Sequence, residues 1–98
     1  MNEAHRTLQT TPYFERAYKK YVGKERKRRN CIAETLAALV ANPWNPSLGS
    51  HKLKGSLKGA VSCSCGSDCR IIFTIEPGTK PTTERIILHN IGTHDEVY

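Results

Sequence analysis

The chain has 98 residues, 38% hydrophobic and 24% charged, which is the size and mixture of one globular domain and excludes a second catalytic one. No apolar run approaches the ~18 residues of a membrane span, and Met1 to Arg6 holds no apolar signal segment, so a cytoplasmic protein without membrane contact is expected. The net charge of +6 is concentrated in residues 19–29, where Lys19, Lys20, Lys24, Arg26, Lys27, Arg28 and Arg29 face only Glu25; such a block attracts polyanions, nucleic acid first, although a solvated helix face or an acidic protein partner has the same charge pattern.

Residues 6–10 alternate weakly and carry threonines, which predicts a short first strand. Thr11-Pro12 opens a helix, because threonine caps and proline fits the first helical position. Phe14, Ala17, Tyr18 and Tyr21 then fall on one helical face, and Gly23 ends the helix. A second helix is expected from about Lys24 to Ala41, with Ile32, Leu36, Leu39 and Val40 turned inward. Its basic first turns oppose the positive end of the helix dipole, a local penalty of the kind tolerated for function. Asn42-Pro43 stops it, residues 43–50 form a loop, and Trp44 is expected to plug the core beneath.

From Gly55 the period changes to two. Residues 60–65 read as a strand, 66–68 as a turn and 69–75 as the clearest strand of the chain. A loose turn at 77–81 leads to a last strand over 85–91, ended by Gly92. The order β-α-α-β-β-β predicts one α+β domain over residues 1–98, a small antiparallel or mixed sheet with two helices on one face. Cys63-x-Cys65 lies outside the usual C-x2-4-C zinc spacing, so Cys31, Cys63, Cys65 and Cys69 read as small buried or half-buried thiols, with neither metal nor cofactor expected. Alternation puts Cys63 and Cys65 on one strand face.

Four groups carry candidate chemistry. His51 to Gly59 combines a histidine with Lys52, Lys54, Lys58 and two glycines, a phosphate-binding composition that also describes a basic surface turn. Asp68 and Arg70 flank Cys69; an arginine on a mostly apolar strand needs water, a partner such as Asp68, or a ligand. His94 follows the last strand, where an imidazole can exchange protons with solvent near neutral pH. Tyr98 either stacks on a base or docks the C-terminus. His89 reads as a packing or surface residue, and His5 receives no role.

Together these residues resemble the RelE/ParE superfamily of bacterial toxins, nearest its YafQ-like RelE/StbE branch. The resemblance rests on HKLKG at 51–55, KG at 58–59, DCRIIF at 68–73 and IGTHDEVY at 91–98, and extends over the helical half. It implies a compact toxin of a type II toxin–antitoxin pair; most such toxins cleave mRNA in the ribosomal A site without a metal. It also implies a cognate antitoxin, and operator DNA met only through that complex. Carried over by position, His51, Asp68 and His94 match the branch's acid–base residues, Arg70 its phosphate-contacting arginine and Tyr98 its substrate-orienting aromatic. The basic block, with Lys52, Lys54 and Lys58, is then expected to grip mRNA and ribosomal RNA. Two positions depart from the pattern: Ser64 stands where the branch's best-known members carry a further histidine, and Ala60 where many relatives have a bulky aromatic. A ParE-like DNA gyrase poison and a catalytically decayed, binding-only homologue stay open as other readings.

Overall fold

The computed structural model describes residues 5–98; the first four residues, read above only for signal character, lie outside them. Strand β1 (His5–Thr10) is followed by helices α1 (Pro12–Val22) and α2 (Arg26–Ala41). Strands β2 (His51–Lys52), β3 (Val61–Cys65), β4 (Cys69–Pro77) and β5 (Thr83–Gly92) come next, and a short helix α3 (His94–Val97) closes the fold. The sheet order is β1-β5-β4-β3-β2, with β1 parallel to β5 and the other pairs antiparallel. Since β1 and β2 lie on opposite edges, the helical hairpin carries the chain across the whole sheet. The α+β fold expected from the sequence is the one formed, and its sheet is mixed.

Local chemistry accounts for the boundaries. Thr11 Oγ1 accepts from the Phe14 N–H at 3.1 Å and donates to the Leu88 carbonyl at 2.9 Å, so one hydroxyl both caps α1 and ties it to β5. Gly23, at φ +51°, donates to the Lys19 carbonyl at 2.9 Å and turns the chain out of α1. Glu25 is extended and makes no side-chain cap, so α2 begins at Arg26, two residues later than expected. Arg6 donates to the Ala41 carbonyl at 3.0 Å, covering the far end of α2.

Phe14, Ile32 and Leu39 pack on Cys63, Ile71, Phe73, Ile86 and Leu88 in the core between helices and sheet. Leu36 and Val40 are only half-buried, while Thr35, outside the apolar pattern, is buried with its hydroxyl on the Cys31 carbonyl at 2.9 Å. One extra β5 residue, His89, sits opposite the step from Ile72 to Phe73, a bulge in which its Nε2 lies 2.8 Å from Thr74 Oγ1.

Three features differ from the sequence reading. Trp44 does not plug the core: it is 46% exposed, and Pro43 and Leu48 are buried instead. Asn42 Oδ1 accepts from the Trp44 N–H at 3.0 Å, which sends proline inward and indole outward. His51-Lys52, read as a segment before the sheet, pairs as its edge strand, and the residues after Gly92 coil into α3.

Candidate active site on the open sheet face

Opposed residues in an antiparallel pair share one face. His51 pairs with Ser62, Ser62 with Ile72 and Ile72 with Asn90; one step along, Ser64 pairs with Arg70 and Arg70 with Gly92. Cys63, Cys65 and Ile71 belong to the core beneath the helices, so Ser62, Ser64, Arg70 and Ile72 face the other way. His51, Arg70 and two serines thus meet on one face.

Tyr98 folds back onto this face. Its hydroxyl donates to Ser62 Oγ, and Ser62 has no exposed surface. The Tyr98 ring meets the His94 ring edge-on, with centroids 4.6 Å apart. Helix α3 holds both: Val97 is buried, and the Glu96 carboxylate accepts from the Thr93 N–H at 2.9 Å. That backbone hydrogen bond lowers the Glu96 carboxyl from its usual range. His94 remains open to solvent, with Nδ1 3.5 Å from the exposed Asp95 carboxylate.

His51 Nδ1 lies 3.2 Å from the Gly49 carbonyl. A carbonyl only accepts, so Nδ1 carries a proton in this contact, and in the neutral ring Nε2 is then the nitrogen with the free lone pair. Ser64 adjoins the same turn: a Cβ at Gly49 would lie 3.7 Å from Ser64 Oγ. Arg70 is half-buried and donates to the Cys69 carbonyl at 3.0 Å. The pairing with Asp68 is not formed, and among the described residues no carboxylate neutralises the guanidinium.

Other expected site residues lie elsewhere. Asp68 sits in the exposed β3–β4 turn, lining a groove of about 250 Å³ with Lys27, Arg28 and Cys31 on the helix-bearing side. Lys52 opposes Val61 and also faces that side; Lys54 and Lys58 are exposed around the following 3₁₀ turn. The basic residues 19–29 are exposed where α1 ends and α2 begins. Arg28 stacks over the Tyr21 ring at 4.6 Å and donates to its carbonyl at 2.8 Å. Lys20 shares a groove of about 240 Å³ with Tyr13, Arg16, Asn90 and Glu96, which brings the block against α3. Sequence reasoning missed Tyr13 and Arg16, although their spacing places them on the Lys20 face of α1. It also missed Ser62, which strand alternation pairs with Ser64 on the Arg70 face.

The cysteines are free thiols, and among the described residues no three His, Cys, Asp or Glu side chains are placed to hold a metal. Cys65 Sγ lies 3.6 Å from Cys31 Sγ and 3.3 Å from Thr35 Oγ1. Burial pushes the Cys63 thiol up to about 12, whereas a hydrogen bond with Cys65 lowers Cys69.

The family described as the bacterial toxin of type II toxin–antitoxin system, YafQ, matches residues 6–98. The chain belongs to that family. The crystal structure of YafQ from E. coli strain BL21(DE3) superposes on this YafQ-family toxin with a TM-score of 0.70 and 20% identity, over 95% of this chain and 98% of that one. A YoeB/ParE toxin from Agrobacterium tumefaciens gives 0.73 and 16%, over 90% and 98%. The E. coli DinJ–YafQ toxin–antitoxin complex gives 0.68 and 20%, over 96% and 98%. At such identities the likeness is one of fold. No curated protein matches the toxin by sequence. Among the described residues no helix is long and apolar enough to cross a membrane.

Proposed function

We propose that this toxin is a ribosome-dependent, metal-independent endoribonuclease that cuts mRNA in the cytoplasm and is neutralised by a cognate antitoxin. The observation that carries the reading is the convergence of His51, Arg70, Tyr98 and His94 around one open sheet face. RNA cleavage without a metal needs a base for the ribose 2′-OH, an acid for the leaving 5′-oxygen and a cation for the pentavalent phosphate. His51 Nε2 takes the 2′ proton as the 2′-oxygen attacks phosphorus. Arg70, which no carboxylate among the described residues pairs with, offsets the charge gathered on the phosphoryl oxygens. His94 protonates the departing 5′-oxygen, leaving a 2′,3′-cyclic phosphate and a 5′-hydroxyl. Tyr98 stacks on a base and sets its register. Asp68, in the turn, has no contact with this group, and Ser64 offers no base at neutral pH, so the second proton-transfer role falls to His51.

So sparse a site depends on a substrate already held in reactive geometry, which the ribosome supplies. The basic block beside α3 fits the surrounding ribosomal RNA. An antitoxin partner, as in the DinJ–YafQ complex, suits the apolar groove of about 410 Å³ between Phe14, Tyr18, Ile32 and Leu36, rimmed by Lys19, Arg29 and Glu15. The apolar floor with charges of both signs at its rim favours an amphipathic segment, and operator DNA is then met only by the complex. Purified ribosomes on a mapped message test the function: cleavage inside the reading frame, with cyclic-phosphate ends, is expected. Intact message with inhibited gyrase would move the toxin to the gyrase reading. Intact message with active gyrase would make it a binding-only homologue.

A further inference from the structure

Trp44 is the single tryptophan of the chain, and the fold holds it outward instead of burying it. It stands at the rim of a groove of about 440 Å³ on the helix-bearing side of the β2 edge. Lys52 and Lys58 line the groove beside it, with Leu53, Val61 and Ile75 as apolar surface. The volume lies within the ~300–1,000 Å³ range of ligand clefts. Ala60, where many relatives have a bulky aromatic, also lines the groove.

A flat aromatic rim, an apolar floor and two ammonium groups match one ligand chemistry: a nucleobase laid against the indole, with its phosphates between the lysines. We infer that this groove is a second RNA subsite, taking a nucleotide that flanks the one engaged on the catalytic face. The identity of the polyanion rests on the ribonuclease reading above; the groove's chemistry does not.

Continuity between the two places comes from the edge strand. His51 and Lys52 are adjacent, and alternation turns His51 to the Arg70 face and Lys52 to the Trp44 side. Because β2 is the outermost strand, no further strand separates them, and a single strand of RNA held at His51 reaches the groove by rounding that edge. An acidic peptide fits less well. A peptide adding to this edge would meet a two-residue strand and gain little backbone pairing, whereas single-stranded RNA relies on stacking and point cations.

The single tryptophan makes the test direct. The full chain is titrated with short 2′-O-methyl RNA, which cannot undergo the 2′-OH attack, while indole emission and the anisotropy of labelled RNA are followed. Saturable quenching of Trp44 is expected. In anisotropy, Trp44→Phe should stay within a few-fold of wild type, and Trp44→Ala should bind about 5–150-fold more weakly, the loss of one stacked base. Lys52→Ala and Lys58→Ala should each reduce the salt slope by about 0.7. Absence of quenching, or Trp44→Ala affinity equal to wild type, overturns the subsite. So does equal or stronger quenching by a polyglutamate peptide of matched charge, which would make the groove a protein-docking surface. Ribosomal cleavage measured in parallel keeps the two readings apart. Cleavage without quenching removes the subsite and leaves the nuclease, while quenching without cleavage leaves an RNA-binding groove on a protein that is not a nuclease.

Discussion

Removing one oxygen from Tyr98 should affect catalysis more than its exposed ring suggests. Tyr98 is 45% exposed, but its hydroxyl partners Ser62, which has no accessible surface. In Tyr98→Phe the ring face remains, and the Ser62 hydroxyl loses that partner without access to water. An unsatisfied buried hydroxyl costs about 1–3 kcal/mol, which is roughly a 5–150-fold shift between docked and undocked α3. Helix α3 has only four residues and is otherwise held by Val97 and the Glu96–Thr93 bond, so it has little reserve. Single-turnover cleavage on saturated, programmed ribosomes should fall by that factor, and amide exchange in α3 should quicken. Ser62→Ala should be milder, because it removes the buried hydroxyl and leaves unpaired only the hydroxyl of a residue that is 45% exposed; a loss of about 0.5–1.5 kcal/mol is expected. The double variant Ser62→Ala/Tyr98→Phe has no orphaned group and should recover much of the activity lost in Tyr98→Phe. Losses that simply add, or a Tyr98→Phe rate equal to wild type, would refute the anchoring of the ring through Ser62.

Other variants probe the remaining parts of the site and core. His94→Ala should cost about 10²–10⁴ in single-turnover rate with the fold retained, since the side chain is largely exposed and touches the Tyr98 ring only edge-on; an unaltered rate in a folded variant removes His94 as the acid. Ser64→His should keep or raise cleavage, because position 64 faces Arg70 and the Gly49 turn; a large loss would contradict that register. Replacing Lys27, Arg28 and Arg29 with alanine should weaken ribosome association and flatten its salt dependence, and sedimentation across a salt series checks this. Cys63 links core packing to alkaline stability. Its thiol is held up to about 12 against an ordinary 9.0, so the unfolded chain loses that proton first as pH rises. The contribution is complete below pH 9 and declines towards pH 12; Cys63→Ala should flatten that stretch of a urea-unfolding series, and an unchanged slope would assign the loss elsewhere.

Several features of the molecule are legible without coordinates because their causes are local. Thr11-Pro12 starts a helix by its own side chain and ring, and Cys69 to Ile75 alternates because successive side chains of any strand point oppositely. The toxin family was likewise legible, carried by HKLKG, DCRIIF and IGTHDEVY. What escaped has causes distant along the chain. Two residues carry no period, so His51-Lys52 becomes a strand only when β3 is there to pair with it. Trp44 faces outward because Asn42 captures its N–H while Pro43 occupies the core, a contest that composition does not decide. Asp68 and Arg70 are neighbours in sequence, yet one lies in a turn over the helical side and the other on the opposite sheet face. Ser62 and Tyr98 are 36 residues apart and share a hydrogen bond. Periodicity and capping act over a few residues and therefore set the elements; the meeting of His51, Ser62, Arg70, His94 and Tyr98 depends on strand register and on α3 folding back, which only the packed sheet decides.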